Sequence, residues 1–306
     1  MTAGTPRTAE GRVPNPASRS RSEVCDAPAM LSTMVLQVPQ WQGSSVADAR
    51  RLALGAEMLA PLVPAGRVVQ VPVPDAEGVE RDGVRALDVL TGVAARARAA
   101  LDEVSGEPVV TVGGDCGVEL EPVSAALTRH GDALAIVWFD AHGDLNTPAS
   151  SPSHAFHGMV LRTLLGEGHP ELVPGRALRP EQVILAGARA LDPSEASYVA
   201  EAGLAWHSVA DLTASPDSLV SAVTATGATA VYVHIDLDVL DPGTFGSQSY
   251  PEPGGLGVEA LREAVRALTT RFTLAGLGIT EYAPHHEEDQ AVLASLLPDL
   301  LPADSL

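Results

Sequence analysis

The chain contains no lysine; all 19 of its Lys-plus-Arg residues are arginine. A lysine Schiff base and the lysine of a phosphate-binding P-loop are therefore excluded. Aromatic residues make up only 4% of the 306 positions, so Ala, Val and Leu must fill the interior. Basic residues are outnumbered by 39 Asp and Glu, giving a formal charge of −20. That balance argues against a general nucleic-acid binder, which needs a basic face to displace counterions. It suits a cationic substrate, which an acidic field draws toward a cleft. Cysteine occurs only at Cys25 and Cys116, too few for a disulfide framework. The expectation is two free thiols in a reducing cytoplasm. No run approaches the roughly 18 consecutive apolar residues of a membrane span. The first 30 residues also lack the apolar stretch of a secretory signal.

What is present is a composition 45% hydrophobic and 19% charged, enough to bury a substantial core. Residues 1–31 are rich in Ser, Thr, Pro, Gly and Arg without apolar periodicity, and predict a disordered arm. Residues 32–306 predict one folded catalytic body. Apolar runs at 33–38, 67–73, 108–112, 134–139, 182–187, 204–208, 231–235 and 273–279 read as strands. Most are continuous in Val, Ile, Leu and Ala, the pattern of strands covered on both faces. Helical patterns at 46–62, 82–104, 118–129, 156–165, 193–201, 217–225, 258–270 and 289–300 lie between them. The alternation predicts an α/β fold of three layers, α/β/α, with a mainly parallel twisted sheet of about eight strands. Such sheets bind ligands just beyond the C-terminal ends of their strands.

Polar residues cluster at those ends. Asp140-Ala-His142-Gly-Asp144 follows the 134–139 strand, and Asp236-Leu-Asp238 follows the 231–235 strand. Alternate side chains of an extended segment face the same way, so each run can converge on a point. Carboxylates packed together repel unless a cation neutralises them. Oxygen ligands with one imidazole suit Mn²⁺, with Zn²⁺ and Fe²⁺ also compatible. A single Asp at a strand end reads equally well as a helix cap; two runs at alternate spacing do not.

These runs resemble the arginase, or ureohydrolase, family. The similarity covers about residue 34 to the C-terminus and includes Gly113-Gly-Asp-Cys116, Asp140–Asp144 and Asp236-Leu-Asp238-Val-Leu-Asp241-Pro242. The resemblance implies two Mn²⁺ ions per subunit. Asp140 and Asp236 would bridge them, His142 and Asp238 would complete one position, and Asp144 with residue 116 the other. The chain departs from the family pattern at Cys116, where a His is expected. A thiolate there is softer and more negative than imidazole. If Cys116 is instead a buried small residue that coordinates nothing, one metal remains. Arginase-like enzymes that act on N-hydroxyarginine resemble this chain in having Cys here.

The resemblance extends to substrate. Asn146, Ser151 and Ser153 look like partners of an α-carboxylate, and Asp192 and Glu195 like partners of an α-ammonium. On residues alone, Asp192 and Glu195 read as helix-start acids. His157 resembles the family's proton shuttle, and Glu281 the carboxylate that clamps a guanidinium. His234 stands where the family has a small residue such as Ser, leaving a place near the metals or in a wall open. His285-His286 reads as a solvated loop, and His154 as a residue that crowds or tunes the amino-acid pocket. The implied activity is hydrolysis of L-arginine to ornithine and urea by hydroxide formed on bound metal, with catalytic Asp144, His157 and Glu281. N-hydroxyarginine releasing hydroxyurea, agmatine or another guanidino acid are alternatives, as is an arginine-binding metal protein without turnover. The family also implies a homo-oligomer, trimer or hexamer, with no nucleic-acid or membrane partner.

Overall fold

The computed structural model describes residues 1–4, 33–104, 108–215 and 217–301. The arm expected over 1–31, Cys25 included, lies outside them apart from residues 1–4. Each of the eight expected apolar runs overlaps a strand: β1 (Met34–Val38), β2 (Arg67–Gln70), β3 (Val109–Gly113), β4 (Leu134–Phe139), β5 (Val183–Ala186), β6 (Ala205–His207), β7 (Ala230–Asp236) and β8 (Thr273–Thr280). They form one sheet in the order β2-β1-β3-β8-β7-β4-β5-β6, and every neighbouring pair is parallel.

Composition sorts the strands by position. β1, β3, β4, β5 and β7 are buried at every residue, whereas the outer β2 and β6 are largely exposed. A strand covered on both faces must be apolar throughout; an edge can carry Arg67, Gln70 and His207. The period of two divides each inner strand between two cores. Val137, Phe139, Val231, Val233 and Ile235 pack with Leu261, Val265 and Leu268 of the helix Val258–Arg271. Trp138, Ile136 and Tyr232 pack with Leu120, Val123 and Leu127 of the helix Leu120–His130. Helices thus cover both faces, the three-layer arrangement expected.

The routing creates the site. After β3 the chain crosses to β4, builds β5 and β6 outward, then returns to place β7 and β8 in the gap. The C-terminal ends of β3, β8, β7 and β4 therefore stand side by side at the centre of the sheet, where the connections change direction and leave a crevice. The loop after β3 is drawn tightly onto the loop after β1. Asp115 N donates to Gln40 O at 2.9 Å, and a Cβ at Gly114 would fall on that same carbonyl.

Helix boundaries moved more than strands. The pattern at 82–104 becomes a helix only at Leu87–Asp102, because Asp82, Gly83 and Ala86 take positive φ and turn the chain first. The pattern at 46–62 narrows to Arg50–Leu59 followed by a single 3₁₀ turn, and 156–165 to Val160–Leu164. The final helix, Glu287–Leu296, ends in a 3₁₀ turn over Leu297–Leu300 with a proline near its start. One helix had no periodic signal: Val209–Ala214 is six residues long and is held by a reciprocal Ser208–Asp211 cap. Among the described residues, no helix is long and apolar enough to cross a membrane.

Leu268 is fully buried and Leu54 is 49% exposed. Leu268→Ala is expected to lower the unfolding free energy by about 2–5 kcal/mol, and Leu54→Ala by less than about 0.5 kcal/mol. Paired urea titrations measure the contrast, and equal losses would contradict the assignment of the core.

Candidate metal centre

Four adjacent strand ends deliver the site. Cys116 follows β3, Asp140 to Asp144 follow β4, Asp236 ends β7 with Asp238 just beyond, and Glu281 follows β8. Local backbone geometry aims the carboxylates. The Asp140 side chain accepts from His142 N at 2.6 Å and from Trp138 Nε1 at 3.1 Å. Asp236 accepts from Asp238 N at 2.8 Å, and Asp238 in turn accepts from Ala141 N at 3.0 Å, tying the two runs together. Asp144 and Glu281 both take positive φ, +54° and +62°, a conformation that L-residues rarely adopt.

The ligand atoms converge in overlapping groups, each with its members within 4.8 Å of one another: Asp140, His142 and Asp238; Cys116, Asp140, Asp144 and His234; and Cys116, Asp236 and Glu281. His142 Nδ1 stands 2.9 Å from Asp238 Oδ2 and 3.4 Å from Asp140 Oδ1. Cys116 Sγ lies 3.1 Å from Asp236 Oδ2. Asp144 Oδ2 is buried without a hydrogen-bond partner among the described residues. Four carboxylates this close, one with an orphaned oxygen, fit a divalent cation and fit little else.

The electrostatics without a cation report the same crowding. Burial, then the charges of Asp140 and Glu195, push Asp144 well above the usual carboxylate range. Burial with Asp238 and Asp140 does the same to Asp236, and burial with Asp140 raises Asp238 to about 6. Burial also works against ionisation of Asp140, but His142 overrides it and holds Asp140 down at about 2. His142 is raised: its partial burial is outweighed by Asp140 and Asp238. The Cys116 thiol is pushed well above its ordinary range by burial and the surrounding acids.

A cavity of about 220 Å³ opens beside this cluster. His142, Asp144 and His157 line it on the metal side, and Asn146, Ser151, Ser153, Asp192 and Glu195 line the rest. Asn146 Nδ2 donates to Asp192 Oδ2 at 2.9 Å. The Ser151 and Ser153 hydroxyls accept from His154 N and Ala155 N. Glu195 has one oxygen on Leu145 N and the other on Asp192 N, so it also holds the loop in place. The helix-start reading of these acids is visible as well: Asp192 and Glu195 form a capping box on the helix Pro193–Ala202. His157 Nδ1 is 3.5 Å from Glu281 Oε1, which also accepts from Cys116 N. His157 is raised: its burial is outweighed by Glu281.

Other groups lie where the sequence offered no motif. Tyr250 stacks on His157 with ring centroids 5.0 Å apart, approaches His142 edge-on, and bonds Ser45 Oγ at 2.7 Å. Ser249 donates to Glu281 Oε2. Asp115, legible only as part of a motif, is buried and raised to about 7 by burial and Glu281 while accepting from Gln40, Gly43 and Gly117. His285 and His286 are exposed with ring centroids 6.4 Å apart, and His154 turns to Glu80 rather than lining the cavity. His234 is fully buried, with Nε2 3.6 Å from Cys116 Sγ. The two departures from the family pattern are therefore neighbours in space.

A doubly wound parallel sheet that gathers buried carboxylates, imidazole and thiol at its central strand ends defines a metal-binding α/β protein. The Arginase family profile matches residues 39–300. An arginase of Staphylococcus aureus (strain MSSA476) is 29% identical over 241 residues, 73% of this chain and 79% of its own. The N(omega)-hydroxy-L-arginine amidinohydrolase of Streptomyces lavendulae is 33% identical over 212 residues, 67% of this chain and 72% of its own. The structure of Entamoeba histolytica arginase in complex with L-ornithine aligns with a TM-score of 0.79 at 21% identity, covering 88% of this chain and 97% of that one. The chain belongs to the arginase family. It is a ureohydrolase, a hydrolase acting on amidino groups, with a buried cluster suited to a metal cofactor.

The sign of the pH dependence follows from the shifts. Asp144, Asp236 and Asp238 are raised on folding, so the metal-free folded state binds more protons than the unfolded chain above the ordinary carboxylate range. Their contribution is most favourable at acid pH and is lost as pH rises through the folded values. His142, also raised, has the same sign, while Asp140 acts oppositely only below about pH 4. The metal-free protein should therefore melt at a lower temperature at pH 7 than at pH 5. Added divalent cation should raise Tm more at pH 7, where protons compete less. Calorimetry with and without chelator checks both; a metal-free Tm that climbs from pH 5 to 7 would contradict the electrostatics.

Proposed function

We propose that the chain hydrolyses the guanidino group of an L-α-amino acid, L-arginine in the first instance, to ornithine and urea, with manganese as its metal. The carrying observation is a cavity with two unlike ends. Asp144, His142 and His157 stand at one end, beside the buried acidic cluster, and a polar loop with Asn146, Ser151, Ser153 and Asp192 at the other. A guanidino amino acid has a planar cation at one end and a carboxylate with an ammonium at the other.

Asp140, His142 and Asp238 would hold one cation, and Cys116, Asp140 and Asp144, with Asp236 beside Cys116, the second. When bound, the cations lower the pKa of water from 15.7 toward roughly 7 and so supply a nucleophile at neutral pH. The residues do the rest. Glu281, buried and anchored by Ser249 and by Cys116 N, accepts the guanidinium N–H donors and fixes the plane of the group. Asp144 Oδ2, without a hydrogen bond among the described residues, takes the proton of the attacking water and passes it to the leaving nitrogen. His157 faces Glu281 through Nδ1, which leaves Nε2 to protonate the departing amine. Asn146, Ser151 and Ser153 receive the α-carboxylate. Asp192, with Glu195 behind it, receives the α-ammonium.

A second substrate, N-hydroxy-L-arginine, is favoured by Cys116 and by the 33% identity to an enzyme named for that substrate. Its products would be ornithine and hydroxyurea. The cytoplasm and a homo-oligomer, trimer or hexamer, complete the proposal.

Purified protein loaded with Mn²⁺ is expected to release urea from L-arginine or hydroxyurea from N-hydroxy-L-arginine, and to act poorly on agmatine, which lacks the carboxylate. Preference for agmatine would overturn the amino-acid reading. Ligand binding without product from any guanidino compound would favour an arginine-binding protein instead. Glu281→Gln and His157→Asn should each lower kcat by about 10²-fold or more. Asp192→Ala should act mainly on KM, raising it about tenfold or more for amino-acid substrates.

A further inference from the structure

We propose that His234 is itself a metal ligand, through Nε2, at the position shared by Cys116, Asp140 and Asp144. The inference rests on the metal reading above and adds to it a nitrogen donor from within β7.

Position comes first. His234 lies two residues before Asp236 on the same strand and so shares its face, opposite Trp138 of β4 and Gly278 of β8. Its side chain is fully buried. Nε2 lies 3.6 Å from Cys116 Sγ, and the ligand atoms of Cys116, Asp140, Asp144 and His234 all fall within 4.8 Å of one another. Nitrogen and sulfur held about 2.0 and 2.3 Å from a common ion at a tetrahedral angle stand roughly 3.5 Å apart. The observed spacing, which in the metal-free protein is that of a hydrogen bond between the two, also fits two ligands of one ion.

Support behind the ring comes next. A ligating imidazole usually gives its other N–H to a carboxylate or carbonyl, which fixes tautomer and orientation. Here the facing carboxylate is Glu119, whose Oε2 lies 3.6 Å from His234 Nδ1, a charge contact longer than a hydrogen bond. Glu119 is fully buried, its oxygens and His234 Nδ1 all lack a well-formed hydrogen bond among the described residues, and the Tyr232 hydroxyl also faces its carboxylate. A Cβ at Gly278 would land on that carboxylate, so the bare strand position is what admits it beneath the ring. Trp138 sets the ring plane by stacking at 3.6 Å between centroids and 21° between planes. The same Trp138 donates Nε1–H to Asp140 Oδ2, which joins the ring to a second ligand of the group.

The chemistry favours nitrogen here. The neighbouring donors are already four carboxylates, and a neutral imidazole adds a ligand without adding negative charge. With sulfur beside it, this position leans toward borderline cations such as Co²⁺, Fe²⁺ or Zn²⁺, while the position formed by Asp140, His142 and Asp238 remains harder.

The test counts metals and histidines without relying on turnover. Full-length protein is stripped by chelator, dialysed against Co²⁺, and analysed for metal content, absorption and paramagnetically shifted imidazole N–H resonances. Wild type is expected to hold two equivalents and show two shifted imidazoles, His142 and His234. His234→Ser should weaken the second equivalent by more than about 100-fold, and Glu119→Gln by about 10–100-fold. A single shifted imidazole in wild type holding two equivalents would overturn the proposal even if His234→Ser failed to fold, and would leave the metal reading intact. Two equivalents bound with unchanged affinity in folded His234→Ser would overturn it likewise. Wild type that binds no divalent ion at all would sink the metal reading itself.

Discussion

Mutual repulsion among buried acids is the constraint around which the molecule is arranged. Asp140, Asp144, Asp236 and Asp238 are all almost wholly buried, and three of the four are raised above their ordinary pKa range without a cation. Folding these groups together opposes the hydrophobic burial that drives the sheet to form. The cluster is tolerable because a divalent ion inverts its sign: charges that oppose the metal-free fold bind the ion. Stability and metal affinity are then one quantity, read from two sides.

The sheet makes that arrangement repeatable. Each ligand sits at or just beyond a strand whose register is pinned by neighbours on both edges, so its backbone has little freedom. The loops then add short bonds of their own, such as Asp236 to Asp238 N and Asp238 to Ala141 N. Behind the Asp and Cys116 side chains lie further buried polar groups, His234, Glu119, Tyr232 and Thr111. Two positions that differ from the family pattern, 116 and 234, meet here and belong to one local rearrangement.

Strands were legible from continuous apolar runs. The acidic runs were legible by position after those strands, but they converge through turns, a 3₁₀ turn at Leu237–Val239 and positive φ at Asp144, rather than by the alternation of an extended segment. Continuous apolar runs placed the sheet, and Asp-x-His-x-Asp and Asp-x-Asp marked the acidic cluster at its strand ends, without reference to distant contacts. Helix starts were less legible, because residues such as Ala86 turn the chain by a left-handed conformation that side-chain identity does not announce. Tyr250 was invisible because it reaches His157 from a loop after β7 with no spacing relation to it. His234 was visible as a residue but not as a partner. Its contact with Cys116 spans 118 positions and arises only from the placing of β7 and β8 inside the gap between β3 and β4.

The cavity with unlike ends has one more consequence on the proposed reading. Its two recognition regions are carried largely by one loop, residues 140–159, closed by Asp192 and Glu195, so the fold of that loop sets the distance between them and acts as a ruler. A guanidino acid one methylene too short or too long cannot satisfy both ends at once. Once the C–N bond breaks, neither fragment spans the gauge any longer, and the act of cleavage itself loosens the grip on what remains.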